Sequence, residues 1–211
     1  MQVLHIVANP KPVTEAHSKQ LSGAFLDSLK AKRPGIVVTE VDLYKNPPPF
    51  YDYDTYRHFW YPVFDAAYQA TDKEKAAVRY ALAQCKLFNS AEVLVLSTPM
   101  WNFGMPAILK AWLDQVLMPG VTFSIGPGGT KPLHNVRKVV MLVSSGGAYG
   151  IGDLRDGVRN GITAALGFVG ITDIEVAWSE GQNPFFFKDH AERHAKAIQG
   201  ASALGEKVAG L

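Results

Sequence analysis

The sequence predicts an α/β chain, a doubly wound parallel sheet of five strands in the order 2-1-3-4-5 with helices on both faces. Three observations carry the prediction. Five runs of strand length, beginning at Gln2, Ile36, Val93, Lys138 and Asp173, alternate with amphipathic patterns of helical period. Several of the runs are close to continuously apolar, as in strands covered on both faces. The first, third and fourth empty into loops of Gly, Pro, Ser and Asn, whose backbone can approach a ligand at the carboxyl edge of an open sheet.

Composition sets the bounds. The 211 residues, 47% hydrophobic, suffice for one core, so the chain reads as a single domain, 1–211, with an aromatic-rich insertion at about 47–70. The 21 basic and 19 acidic residues are dispersed, which leaves no electrostatic footprint for nucleic acid. One cysteine, Cys85, excludes an internal disulfide and a cysteine-only metal or iron–sulfur site within one chain. No signal-peptide pattern and no apolar run of membrane-spanning length is read, so a cytoplasmic location is expected and no membrane contact.

The first strand, Gln2 to Ala8, runs into NPKPVTEAHS, where two prolines delay a helix until about Ala16; Leu21, Phe25, Leu26 and Leu29 then mark its inner face. A helix N-terminus after a first strand offers free N–H groups and the positive end of the helix dipole to a phosphate, and Lys11, Thr14, His17 and Ser18 can add donors. An ordinary capped turn has the same look. Ile36 to Leu43 is the second strand. Beyond Pro47-Pro48-Pro49 come nine aromatic residues between Phe50 and Tyr68, an excursion that either folds back on its own domain, forms a subunit interface or walls a flat ligand.

Thr71 to Asn89 reads as one helix, opened by a capping box of Thr71 and Glu74, with Val78, Ala81, Leu82, Cys85 and Phe88 as its apolar stripe. The third strand, Val93 to Leu96, leads through the loop Pro99 to Met105 into a helix begun by Pro106. There Ile108, Leu109, Trp112, Leu113 and Val116 face inward, and Lys110, Asp114 and Gln115 outward. Val121 to Thr130 reads as a glycine-rich hairpin or lid, without the Gly-Lys of a triphosphate loop. Lys138 to Val143, the fourth strand, empties into Ser144 to Gly150. A helix from about Asp153 to Phe168, with Leu154, Val158, Ile162 and Ala165 inward, has glycines at 157 and 161 suited to close packing. Asp173 to Trp178 is the fifth strand and Lys188 to Leu211 the closing helix. His190 and His194 have a metal-binding spacing, but the glutamate is misplaced for the zinc protease motif; a solvated face and no metal are expected.

In this strand order the loops Asn9 to Ser18, Pro99 to Met105 and Ser144 to Gly150 meet at the topological switch point. One suits a phosphate; the others offer backbone hydrogen bonds and aromatic walls. With no GxGxxG after the first strand, a flat heterocycle carrying one phosphate fits better than a dinucleotide, which points to flavin mononucleotide (FMN).

The stretch PMWNFGMPAILKAWLDQV, the VTF after it, the SSGG loop, LGFVGITD and the SEG after the fifth strand resemble the FMN-dependent NADH-azoreductase and quinone reductase family, nearly end to end. The resemblance implies a flavodoxin-like homodimer with FMN near the subunit interface, moving two electrons from NADH or NADPH to quinones or azo compounds. Asn9, Lys11, His17 and Ser18 would then hold the phosphate. Pro99, Met100, Trp101, Asn102 and Phe103 would line the isoalloxazine, and Ser144, Ser145, Gly146, Gly147 and Tyr149 would close its other edge. Trp60, Phe123, Ile125 and Phe168 are the expected substrate residues. Trp101, Gly104 and the PAILKAWLD helix lean towards the mammalian-type quinone reductases; the azoreductase branch usually has tyrosine at Trp101, and often arginine at Ser145 and histidine at Tyr149.

Chemistry is expected on the flavin, in ping-pong fashion, with Tyr149 as a hydrogen-bond or proton donor to a developing hydroquinone oxygen and no side-chain nucleophile. The alternative is a flavodoxin-type electron carrier serving a protein partner, for which a strongly charged surface would be expected.

Overall fold

Residues 93–96 show how the sheet is built: Val93 and Val95 face one helical layer, Leu94 and Leu96 the other, and all four are fully buried. The computed structural model describes residues 1–211. Its elements run β1 Gln2–Val7, α1 His17–Lys32, β2 Val37–Asp42, α2 Tyr53–Phe64, α3 Asp72–Ala77, α4 Arg79–Ser90, β3 Val93–Pro99, α5 Ala107–Val116, β4 Phe123–Gly126, β5 Gly129–Pro132, β6 Lys138–Ser144, α6 Gly157–Phe168, β7 Ile174–Ser179 and α7 His190–Ala209.

The main sheet is wholly parallel, in the order β2-β1-β3-β6-β7. This is the expected 2-1-3-4-5 once the separate antiparallel hairpin β4–β5 is left out of the count. Leu4, Ile6, Met141 and Val143 pack with α4, α5 and α6 on one face, and Val3, Val140 and Leu142 with α1 and α7 on the other. Each such buried aliphatic side chain contributes roughly 1.5–3 kcal/mol, so the two layers fix the register of β1, β3 and β6 and hence the relative height of the loops that follow them. No helix is long and apolar enough to cross a membrane.

Three expectations are corrected. The helix read over Thr71 to Asn89 is two helices. Its capping box forms, but Val78 leaves helical geometry (ψ 4°), re-aiming α4 so that Leu82 points to solvent. The helix read from Asp153 starts only at Gly157, because Asp156 caps it by accepting from Arg159 N at 2.8 Å; Leu154 stays 96% exposed outside it. Gln115 is buried rather than outward, and its Nε2 donates to the Pro49 carbonyl at 3.0 Å, which anchors the triple proline.

The aromatic excursion contains a helix, α2, capped by Asp52, whose side chain accepts from Thr55 N at 2.8 Å. Phe59 is buried and Tyr51 and Trp60 pack on the core, so part of the excursion folds back on its own domain, while Phe50, Tyr53 and Phe64 are exposed.

Candidate active site

The loops after β1, β3 and β6 come together at the carboxyl edge of the sheet, at the switch point where Ala8 N donates to the Ser97 carbonyl at 2.8 Å. Two adjoining cavities lie there. One, of about 320 Å³, is lined by Asn9, Lys11, Glu15, His17, Pro99, Met100, Trp101, Ser144, Ser145, Gly146, Gln182 and Asn183. The other, of about 360 Å³, is lined by Met100, Asn102, Phe103, Ser145, Gly146, Gly147, Tyr149, Asn183 and Phe186.

The first loop is rigid where it matters. Asn9, buried, turns the chain by accepting from Lys11 N at 3.1 Å, and its Nδ2 donates to Ser18 Oγ at 3.0 Å. Ser18 is fully buried behind the cavity, and its Oγ accepts from Asn9. Helix α1 has no side-chain cap, and no group of the chain accepts from the His17 or Ser18 N–H. Of the two, His17 lines the cavity together with Lys11, so a free helix N-terminal donor and an ammonium form an anion seat. Burial, then Lys11 and His190, push the His17 pKa below its usual value.

The second loop is strained. Trp101 and Gly104 exchange hydrogen bonds of 2.9 and 3.0 Å across a two-residue turn whose central residues, Asn102 (φ 47°) and Phe103 (φ 65°), are both left-handed. A turn with two positive φ normally recruits Asn-Gly; phenylalanine in the second place costs on the order of 1–3 kcal/mol. The surroundings hold it there: Met100 N donates to the Ser144 carbonyl at 2.7 Å and Gly157 N to the Phe103 carbonyl at 2.8 Å. The exposed N–H groups of Asn102 and Phe103 find no acceptor in the chain.

The third loop is zipped to a segment that sequence reasoning left out of the site, the turn after β7. Gly181 N donates to the Gly147 carbonyl (2.8 Å), Gln182 N to Ser145 (3.0 Å) and Asn183 N to Gly146 (3.2 Å). Ser145 Oγ accepts from Trp178 Nε1 at 2.8 Å and donates to the Gly147 carbonyl at 2.8 Å. The Gly146 and Gly147 N–H groups remain without acceptors. Tyr149 meets Phe103 edge to face at 6.3 Å, and no group of the chain bonds its hydroxyl. Arg155, also absent from the sequence reading, stacks over Tyr149 at 5.5 Å, its charge partly matched by Asp153 at 2.7 Å.

The expected substrate residues are not in this crevice within one chain. Phe123 is buried and packs edge to face on Phe168 at 5.3 Å. Phe168 and Ile125 are exposed, and Phe168 ends the helix whose first residue touches Phe103, about 16 Å away along the axis. Trp60 lines a separate cavity of about 490 Å³ with Tyr51, Met105 and Leu113; its only charged residues, Lys110 and Asp114, already pair at 2.6 Å, so it has little with which to orient a ligand. His190 and His194 hold no metal geometry, and no group of three or more His, Cys, Asp or Glu side chains is placed to do so.

A family model described as a flavodoxin-like fold matches residues 1–204. The chain belongs to this flavodoxin-like family. An FMN-dependent NADH:quinone oxidoreductase of Alcanivorax borkumensis is 37% identical over 167 residues, 79% of this chain and 82% of that protein. FMN-dependent NADH:quinone oxidoreductase 1 of Bacillus licheniformis is 32% identical over 212 residues, 99% and 98% of the two chains. The crystal structure of azoreductase AzrA matches with a TM-score of 0.88 at 29% identity, covering 98% of this chain and 100% of that one. In a flavodoxin-like sheet the switch point is the ligand site, and here it holds an anion seat at one end and a strained aromatic turn facing free glycine N–H groups at the other.

Proposed function

We propose that this flavodoxin-like chain is an FMN-dependent oxidoreductase that transfers two electrons from NADH to quinones and azo compounds. The carrying observation is the donor set: the free His17 N–H beside Lys11 suits one phosphate, while the N–H groups of Asn102, Phe103, Gly146 and Gly147 flank space for one planar ring. The resident chemistry fits that set and the relatives' names agree with it.

Bound FMN supplies hydride chemistry between NADH and the acceptor. The chain's residues bind and orient. Lys11 and the α1 N-terminus would neutralise phosphate charge, and Met100 and Trp101 to Phe103 would support the ring. The Gly146 and Gly147 N–H groups would supply partial positive charge to it, as an oxyanion-type site does. Tyr149, with its hydroxyl unbonded, is the hydrogen-bond donor to an acceptor oxygen. The crevice opens between exposed Phe103 and Phe186, one mouth for donor and acceptor in turn, which supports a ping-pong order.

We infer a homodimer. Tyr53, Tyr56, Trp60 and Phe64 stack along α2 with centroids 6.5, 6.3 and 6.4 Å apart, and three of the four rings are exposed, an apolar stripe suited to cover by a second copy. Phe168 and Ile125 then reach a flavin only from the other subunit. Sedimentation at micromolar concentration tests this, and a monomer there removes both statements.

The test of function is spectroscopic. The purified protein, supplied with FMN, shows the yellow flavin spectrum, bleaches within a turnover on NADH without any partner protein, and recolours on a quinone or azo dye. A chain that stays colourless with FMN, or a yellow one that NADH leaves oxidised, overturns the reading.

A further inference from the structure

The histidine of the anion seat does not stand alone. His17, the first residue of α1, has its ring centroid 4.4 Å from that of His194 on α7, with the planes inclined at 51°. His194 is engaged at both nitrogens, which corrects the solvated face expected for it: Nε2 lies 2.6 Å from Gln20 Oε1 and Nδ1 2.9 Å from Ser179 Oγ. The Gln20 amide is oriented, because its Nε2 donates to the Val13 carbonyl at 2.8 Å, so Oε1 is what faces His194 and it can only accept. His194 therefore carries its proton on Nε2 and takes the hydroxyl hydrogen of fully buried Ser179 on Nδ1. Burial, then His17, hold its pKa down, in keeping with a neutral ring. Three elements, α1, β7 and α7, thus fix one imidazole whose face supports His17 beside the seat.

We propose that His194 is a positioning residue that presents His17 to the 5′-phosphate of FMN, and that phosphate binding draws one proton from solvent onto a His17 ring nitrogen. The inference rests on the FMN reading above. Without a ligand, His17 is neutral at pH 7, since burial, Lys11 and His190 all disfavour its charge. The charged and titratable groups around it are Lys11 and Glu15 of its loop, Lys19, whose Nζ donates to the Lys11 carbonyl at 2.8 Å, and His190 and His194 of α7. Cations outnumber the one carboxylate, so the seat favours an anion, and an arriving dianion reverses the balance on His17.

The consequence is discrimination between FMN and riboflavin that weakens with pH. FMN and a proton bind together, so the Kd for FMN rises by up to tenfold per pH unit above the free pKa of His17 until the bound pKa is passed. Riboflavin, without phosphate, shows no such slope. The phosphate's own second ionisation, near pH 6, acts below this range.

The experiment titrates the full chain, freed of flavin, with FMN and with riboflavin from pH 6.5 to 9, and counts protons by calorimetry in buffers of differing ionisation enthalpy. The expected result is a rising Kd for FMN, a flat one for riboflavin, and uptake of about one proton near pH 7.5. His17→Gln keeps a hydrogen-bond donor but abolishes the slope and the uptake. His194→Ala weakens FMN roughly tenfold and flattens the slope, leaving riboflavin unchanged. Gln20→Leu, which releases the His194 tautomer from the α1 side, does the same where His194→Ala fails to fold. Parallel pH profiles for the two flavins, or wild-type FMN behaviour in these variants, overturn the proposal. Tight FMN binding without proton uptake overturns it alone, whereas no FMN binding at any pH overturns the FMN reading as well.

Discussion

Gly157 lies directly beneath Phe103: its N–H donates to the Phe103 carbonyl at 2.8 Å, and a Cβ at 157 would stand 2.5 Å from that oxygen. The contact couples the start of α6 to the strained turn of the crevice. Gly157→Ala should therefore destabilise by about 1–3 kcal/mol, the usual cost of overpacking, and lower flavin occupancy together with stability. Gly167→Ala, in the same helix but with no atom within 4 Å of its Cβ, should instead stabilise by up to about 1 kcal/mol. Thermal melts and the flavin absorbance of the two variants separate close approach from helix propensity; equal effects would show that the contact at 157 is slack.

Phe103 pays a backbone cost for its place. It sits at φ 65° and the residue is 56% exposed, so little burial offsets the strain within the protein alone. Phe103→Gly should leave the flavin-free protein as stable or more stable, by about 1 kcal/mol, while FMN binds more weakly. Asn102 and Phe103 replaced together should lose FMN retention further. A double variant with full flavin occupancy would place the ring elsewhere.

How far the sequence reveals this site follows from which interactions are local. The strands were legible because their apolar runs need no partner to be recognised, and the three crevice loops because strand order dictates where they meet. The Asn183–Phe186 turn is not legible from SEG alone, because its place depends on Gly181 at φ 66° and on hydrogen bonds to Gly146 and Gly147, which sit more than 30 residues earlier. Helix α2 does carry a local signal: Asp52 as cap, then Tyr53, Tyr56 and Trp60 at helical spacing. Ser18 shows the opposite failure. Its residue type suited a phosphate, but burial turned its hydroxyl to Asn9.

Glu74 ties the aromatic insertion to the capping box of α3. It accepts from Arg57 Nε at 2.7 Å, from the Tyr68 hydroxyl and from Thr71 N at 2.9 Å, and Arg57 lies over the Tyr61 ring at 4.7 Å. Burial raises its pKa, yet the hydrogen bonds from Tyr68, Thr71 and Arg57 outweigh that and leave it lowered. A lowered folded-state value means stability that is present above the unfolded value, near 4.3, and is lost as pH falls through the folded one. Glu74→Gln should thus lower the Tm at pH 7 and narrow its deficit from wild type as the pH drops below about 4. A deficit independent of pH would mean that Glu74 acts only through shape.

Phe186 tests how the mouth of the crevice chooses its acceptor. The Asn183 carbonyl accepts from Phe186 N at 3.1 Å and from Phe187 N at 2.9 Å, and Asn183 Oδ1 from Phe185 N at 3.0 Å, so a tight turn projects Phe185 and Phe186 outward, 86% and 79% exposed. Of the two, Phe186 lines the cavity that contains Phe103 and Tyr149. A ring so exposed adds little to the fold, so removing it should leave the melting temperature within about a degree. An aromatic contact with a planar ligand is worth about 0.5–1.5 kcal/mol, so Phe186→Ala should raise KM for quinones and azo dyes roughly two- to tenfold. Flavin occupancy and the rate of reduction by NADH should hold, because the groups assigned to FMN lie on the other loops. A raised KM for NADH with none for the acceptor would mean that the turn grips the nicotinamide instead, and unchanged constants for both would leave the two phenylalanines facing a protein surface.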